Sequence, residues 1–91
     1  MAVQVLIPTP LRKFTGNEET VFAAPGSIAA IIDDLDTQFP GIKNRLTDDK
    51  GELRRFVNIY LNEEDIRFQN GKETLAADGD AISIVPAIAG G

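Results

Sequence analysis

Ninety-one residues, 43% hydrophobic and 25% charged, specify one small globular domain and argue against a disordered chain. Cysteine and histidine are both absent, which excludes a disulfide framework, a thiolate nucleophile, a sulfur-ligated metal and imidazole acid–base chemistry. Asp and Glu outnumber Lys and Arg 14 to 9, and the net charge of −5 argues against a phosphate-backbone binder while favouring a partner with a basic face.

Val3, Val5 and Ile7 alternate with Gln4 and Leu6, which predicts a first strand closed by Pro8 and Pro10. A polar stretch through Gly16-Asn17 leads to a second short strand, Thr20-Val21-Phe22-Ala23, so the pair reads as a hairpin with a long loop. Pro25-Gly26 turns the chain, and Ser27 is placed to cap a helix running from about Ile28 to Gln38. Ile28, Ile31, Ile32, Leu35 and Phe39 make one apolar stripe on it. Asp33, Asp34 and Asp36 lie off the stripe and are expected to face water, and Pro40-Gly41 ends the helix.

Ile42 and Leu46 can anchor a short extra helical turn, followed by a turn at Asp48-Asp49-Lys50-Gly51. Arg54-Arg55 reads as a solvated strand entrance. The strand itself has Val57, Ile59 and Leu61 on one face and Phe56, Asn58 and Tyr60 on the other. Asn62 to Asp65 is expected to turn into a short edge strand, Ile66-Arg67-Phe68, ended by Asn70-Gly71. Leu75 is expected to plug an irregular crossing before the last strand, in which Ile82 and Ile84 oppose Ser83 and Val85.

The order is ββαββ, an α+β arrangement in which one main helix covers one face of a mixed sheet. With the first and last strands in central places, this is the β-grasp. No long apolar span and no signal-peptide pattern occurs, so a cytoplasmic protein outside the membrane is expected.

Enzymatic constellations are almost empty. No Ser-His-Asp, Cys-His or HExxH arrangement is available without His and Cys, and no phosphate-binding glycine motif occurs. Asp78-Gly79-Asp80 and Glu63-Glu64-Asp65 lack the spacing of a calcium loop and read as turns. The unusual feature is the end, Ala87-Ile88-Ala89-Gly90-Gly91, a narrow arm finishing in an α-carboxylate. Two glycines can thread a slot closed to any side chain. An acyl-adenylate at that carboxylate would be an electrophile, and sulfide transfer would turn it into a thiocarboxylate, a sulfur nucleophile whose carrier needs no cysteine.

Three segments carry a family resemblance: Ile7-Pro8-Thr9 with Leu11-Arg12; Arg55 to Tyr60 running into Asn62-Glu63-Glu64-Asp65; and Pro86 to Gly91. With the ββαββ order they resemble the ubiquitin-like sulfur carriers of the MoaD/ThiS family, and within it the CysO-type branch of cysteine biosynthesis in actinobacteria. The resemblance covers nearly the whole chain. It implies a protein co-substrate, not an enzyme, made of a β-grasp domain over residues 1–86 and a flexible tail over 87–91. Gly91 would be adenylated and converted to the thiocarboxylate, with Gly90, Ala89 and Ile88 read by partners.

The partners implied are a ubiquitin-activating-like adenylyltransferase and sulfurtransferase, a pyridoxal-phosphate-dependent cysteine synthase, and a metalloprotease that releases the product. ATP and pyridoxal phosphate then belong to those partners, and this chain holds no cofactor or metal. The molybdopterin and thiamine branches of the family are alternative destinations for the sulfur. A ubiquitin-like protein modifier is the alternative of a different class, told apart by conjugation to lysines instead of an oxygen-to-sulfur exchange. Strand alternation also places Phe56, Tyr60 and Val85 on the open sheet face near Ile88, a candidate docking patch.

Overall fold

A computed structural model of the chain describes residues 2–55 and 57–86. The first hairpin joins β1 (Val3–Leu6) to β2 (Thr20–Ala23) in antiparallel register, Val5 opposite Val21. Its loop is not polar coil. Thr9–Phe14 forms a 3-10 helix, started by the Leu11 N–H donating to the Pro8 carbonyl at 2.9 Å, and Leu11 and Phe14 pack against the core. Two prolines fix φ near the helical value at its start.

Gly26–Ser27 forms a two-residue strand, β3, that runs straight into α1 (Ile28–Gln38). The Ser27 hydroxyl accepts the Ala30 N–H at 3.1 Å, the capping bond its position suggests. Ile28, Ile31, Ile32 and Leu35 are buried, and Phe39 at the C-cap is half-buried. The aspartates of α1 do more than face water. Only Asp33 is fully exposed; Asp34 accepts the Ala24 N–H at 2.9 Å, and Asp36 accepts the N–H groups of Gly41 and Lys43 at 3.1 and 3.2 Å. Asp36 thereby caps the short helix α2 (Ile42–Leu46), whose Ile42 and Leu46 are fully buried. Gln38 donates to the Phe22 carbonyl at 2.9 Å, so α1 covers backbone groups at the exposed edge of β2.

β4 (Val57–Leu61) buries Val57, Ile59 and Leu61 and turns through Asn62-Glu63 into β5, which is Glu64–Asp65. The expected edge strand over Ile66–Phe68 is instead a 3-10 helix. The Asp65 carboxylate accepts the Arg67 N–H at 2.8 Å and bends the chain out of the sheet, which drops Ile66 into the core and leaves Phe68 90% exposed. Gly71–Glu73 adds one further 3-10 turn. Leu75 does not plug the crossing: it sits on β6 (Leu75–Ala76), which pairs with β3, and strand alternation buries Ala76 while Leu75 stays 73% exposed.

The final strand β7 (Ala81–Pro86) lies between β1, to which it is parallel, and β4, to which it is antiparallel. The five-stranded order is β2-β1-β7-β4-β5. First and last strands are central, and α1 packs its apolar stripe into the same core cluster as their inward residues. The opposite face is open to solvent. This is the β-grasp. The turn that launches β7 is tied down by its own acids: Asp78 accepts the Ala2 N–H at 2.7 Å and Asp80 the Ala77 N–H at 2.8 Å. That backbone bond, and secondarily the Asn62 side chain, hold the Asp80 carboxyl below the usual carboxylate range.

Candidate functional site

The strand directions decide what surrounds the exit of β7. Because β7 runs parallel to β1 and antiparallel to β4, its final residue emerges beyond the end of β1 and beside the start of β4. Pro86 is the last described residue and is held in register with Val57. The predicted activation residue Gly91 and the recognition residues Gly90, Ala89 and Ile88 lie outside the described residues, as does Phe56. Pro86 is thus held at the end of β7 by β4, while the pairing of β7 with β1 ends three residues earlier, at Ser83.

The open sheet face beside the end of β7 carries Val85, 42% exposed, and half-buried Tyr60. Val85 stands opposite Asn58, and Tyr60 opposite Ser83 on one side and Asp65 on the other. Asn58 is engaged by the Arg67 guanidinium, which also donates to the Val57 carbonyl at 2.7 Å. Phe22, 57% exposed, points to the same open face from β2, but its register row lies nearer the start of β7 than Tyr60 does. Sequence reasoning left Phe22 out of the face, although the burial of Val21 and Ala23 on either side of it is the signal that puts it there.

On the helix side of the same exit lies a cleft of about 280 Å³. Pro10, Leu11, Val57, Ile84 and Pro86 form its apolar lining, and Lys13 and Arg45 its charged rim. Both cations flank one aromatic ring, with Lys13 Nζ 5.5 Å and Arg45 Cζ 5.8 Å from the centre of Phe14. Phe14 in turn packs over Gly41, whose φ of +102° and missing Cβ let the ring approach. Sequence reasoning missed this cleft because its walls come from the first loop, from α2 and from the strands β4 and β7.

The remaining cations near the exit are mostly committed. Arg12 donates to the Ile7 carbonyl at 3.0 Å, and Arg54 reaches the Asn44 carbonyl with two nitrogens at 3.1 and 2.9 Å. Arg54 thus ties the segment ahead of β4 to α2, and only Arg55 of the pair is exposed. Lys43 pairs with Asp33 at 2.6 Å, and that hydrogen bond and charge raise its pKa. Among the described residues no cluster of acidic side chains is arranged to hold a metal, and no helix is long and apolar enough to cross a membrane.

The ThiS family profile matches residues 5–91, nearly the full length and including the glycine end. The chain belongs to the ThiS family. Among ThiS relatives and ubiquitin-like neighbours, it is 50% identical to the sulfur carrier protein CysO of Mycobacterium tuberculosis, over all of both chains. It superimposes with a TM-score of 0.92 on a chain of the Amycolatopsis orientalis BexX/CysO complex, at 48% identity, covering 99% of this chain and 100% of that one. It is also 32% identical to small archaeal modifier protein 3 of Haloferax volcanii, over 71% of this chain and 70% of that one. The fold expected from the ββαββ order is thus shared with known ubiquitin-like proteins.

Proposed function

We propose that this ThiS-family chain is a sulfur carrier that works by way of its last residue, with cysteine biosynthesis as the destination of the sulfur. The single observation that carries this reading is the 50% identity to a sulfur carrier protein over the full length of both chains. The Gly90-Gly91 end supplies the chemistry. The Gly91 carboxylate attacks the α-phosphorus of ATP on an activating enzyme; pyrophosphate leaves and an acyl-adenylate forms. A sulfide sulfur then attacks the acyl carbon, the bond to AMP breaks, and a thiocarboxylate remains. No electrons are exchanged in either step, so the carrier needs neither a thiol nor a redox centre. The absence of cysteine fits this division of labour.

In this reading residues 1–86 are the handle and 87–91 the arm. ATP, and pyridoxal phosphate on the cysteine synthase that accepts the sulfur, belong to partner enzymes, and a metalloprotease then frees the product. All of this takes place in the cytoplasm. The test is loading by the activating enzyme with ATP and sulfide, read as one oxygen-for-sulfur exchange in the intact mass. Adding a single residue after Gly91 should abolish that exchange and leave the melting temperature unchanged, since the reactive carboxylate is displaced. Normal loading of the extended chain, without trimming, would sink the proposal. The likeness to an archaeal modifier protein favours one second reading, in which Gly91 forms isopeptide bonds. Conjugates to lysines of other proteins, with no thiocarboxylate, are its signature.

A further inference from the structure

The cleft at the exit of β7 has a size and a charge that the sulfur chemistry does not use. At about 280 Å³ it falls just below the roughly 300–1,000 Å³ of typical small-molecule sites, so it suits an inserted side chain better than a cofactor. Its lining is apolar: Val57 and Ile84 belong to the core cluster, and Leu11 packs against it from the first loop. The rim is the unusual part. Among the described residues, Lys13, Arg45, Lys50 and Arg55 form neither an ion pair nor a side-chain hydrogen bond, and two of these four stand on this rim. They do so on a protein of net charge −5, where acidic partners were available in excess. Both cations lie close to the one Phe14 ring, at 5.5 and 5.8 Å from its centre, so a single anion at the rim would be attracted by both charges.

From this charge complementarity and from the position of Pro86 in the wall, we propose that the cleft seats a segment of the activating enzyme. That segment carries an apolar side chain for the floor and a neighbouring Asp or Glu carboxylate for Lys13 and Arg45. The inference rests on the sulfur-carrier reading, because it takes the ATP-using enzyme as the protein that must grip the root of the arm. Seating there fixes where the arm begins without touching its end, so the glycines stay available for threading. The competing occupant is the chain's own residues 87–91, which also combine an apolar side chain with a carboxylate.

The test is titration calorimetry of the full chain against the activating enzyme, at low and high salt, alongside sulfur loading. Lys13→Glu with Arg45→Glu should weaken binding by about tenfold or more, and the loss should shrink at high salt. Lys50→Glu with Lys72→Glu makes the same change of charge at residues that do not line the cleft and should stay within about twofold. A second rim variant, Lys13→Met with Arg45→Met, keeps most of the packing over Phe14 and should weaken binding to a smaller degree. Circular dichroism confirms that each variant is folded. Rim variants that bind like wild type, or control variants that weaken binding equally, overturn the cleft and leave sulfur loading standing. Tighter binding or faster loading in the rim variants also overturns it, since that result shows the chain's own end being released. A wild-type chain that takes up no sulfur sinks both the carrier reading and this inference.

Discussion

Leu35 and Asp36 are neighbours on α1 with opposite tasks. Leu35 is 1% exposed, at the centre of the cluster that joins helix and sheet. Leu35→Ala should destabilise the protein by about 2–5 kcal/mol, a large share of the roughly 5–15 kcal/mol that holds a native domain together. Urea unfolding with an unchanged slope and a lowered midpoint is the expected result; an unchanged midpoint would refute the buried stripe. The stripe is legible in the sequence because its 3.6-residue period is local. The work of Asp36 is not legible, because its two N–H partners at Gly41 and Lys43 reach it only once the chain has reversed. Arg67 is a similar case: its place over β4 depends on the bend made by Asp65.

The elements that could be read are those with strong internal periodicity. α1 starts and stops where Ser27 and Pro40-Gly41 suggest, and β4 and β7 bury the residues their alternation selects. The 3-10 segments at Thr9–Phe14 and Ile66–Phe68 escape such reading, since one or two turns contain too few residues to show a period. Gly41 links two of these elements. A Cβ there would meet Phe14 Cε1 at 3.1 Å, on a backbone whose φ of +102° already disfavours any side chain. Gly41→Ala should therefore cost about 1–3 kcal/mol by denaturant unfolding. If stability were unchanged, the contact between the Thr9–Phe14 helix and α2 would be looser than described. The same substitution should disturb the packing that sets Lys13 and Arg45 on the cleft rim.

Sheet order governs what the molecule shows to a partner. The open face presents Val85 beside Pro86 at the end of β7, and this residue probes the predicted docking patch more cleanly than Tyr60. Tyr60 stands opposite Asp65, so an acid there would add repulsion within the sheet, whereas Val85 faces Asn58. Val85→Asp should change stability by no more than about 1 kcal/mol. If the open face docks the activating enzyme, binding measured by calorimetry should fall by about tenfold. Wild-type affinity would assign recognition to the cleft and the arm instead.

Much of this protein is determined along the chain itself. The single helix with its cap, the alternating strands, the lack of any thiol or imidazole, and the Gly-Gly end all depend on near neighbours or on residue identity alone. They suffice for the β-grasp and for the family. What only the tertiary structure decided is which distant segments share the exit of the last strand. Lys13, Arg45, Val57 and Ile84 are far apart in sequence and acquire a common cleft only when β7 inserts parallel to β1 and antiparallel to β4. Which loop and which helix close over the end of a given strand is a long-range packing choice, made by the burial of whole faces and not by any local preference, so no window of the sequence displays it.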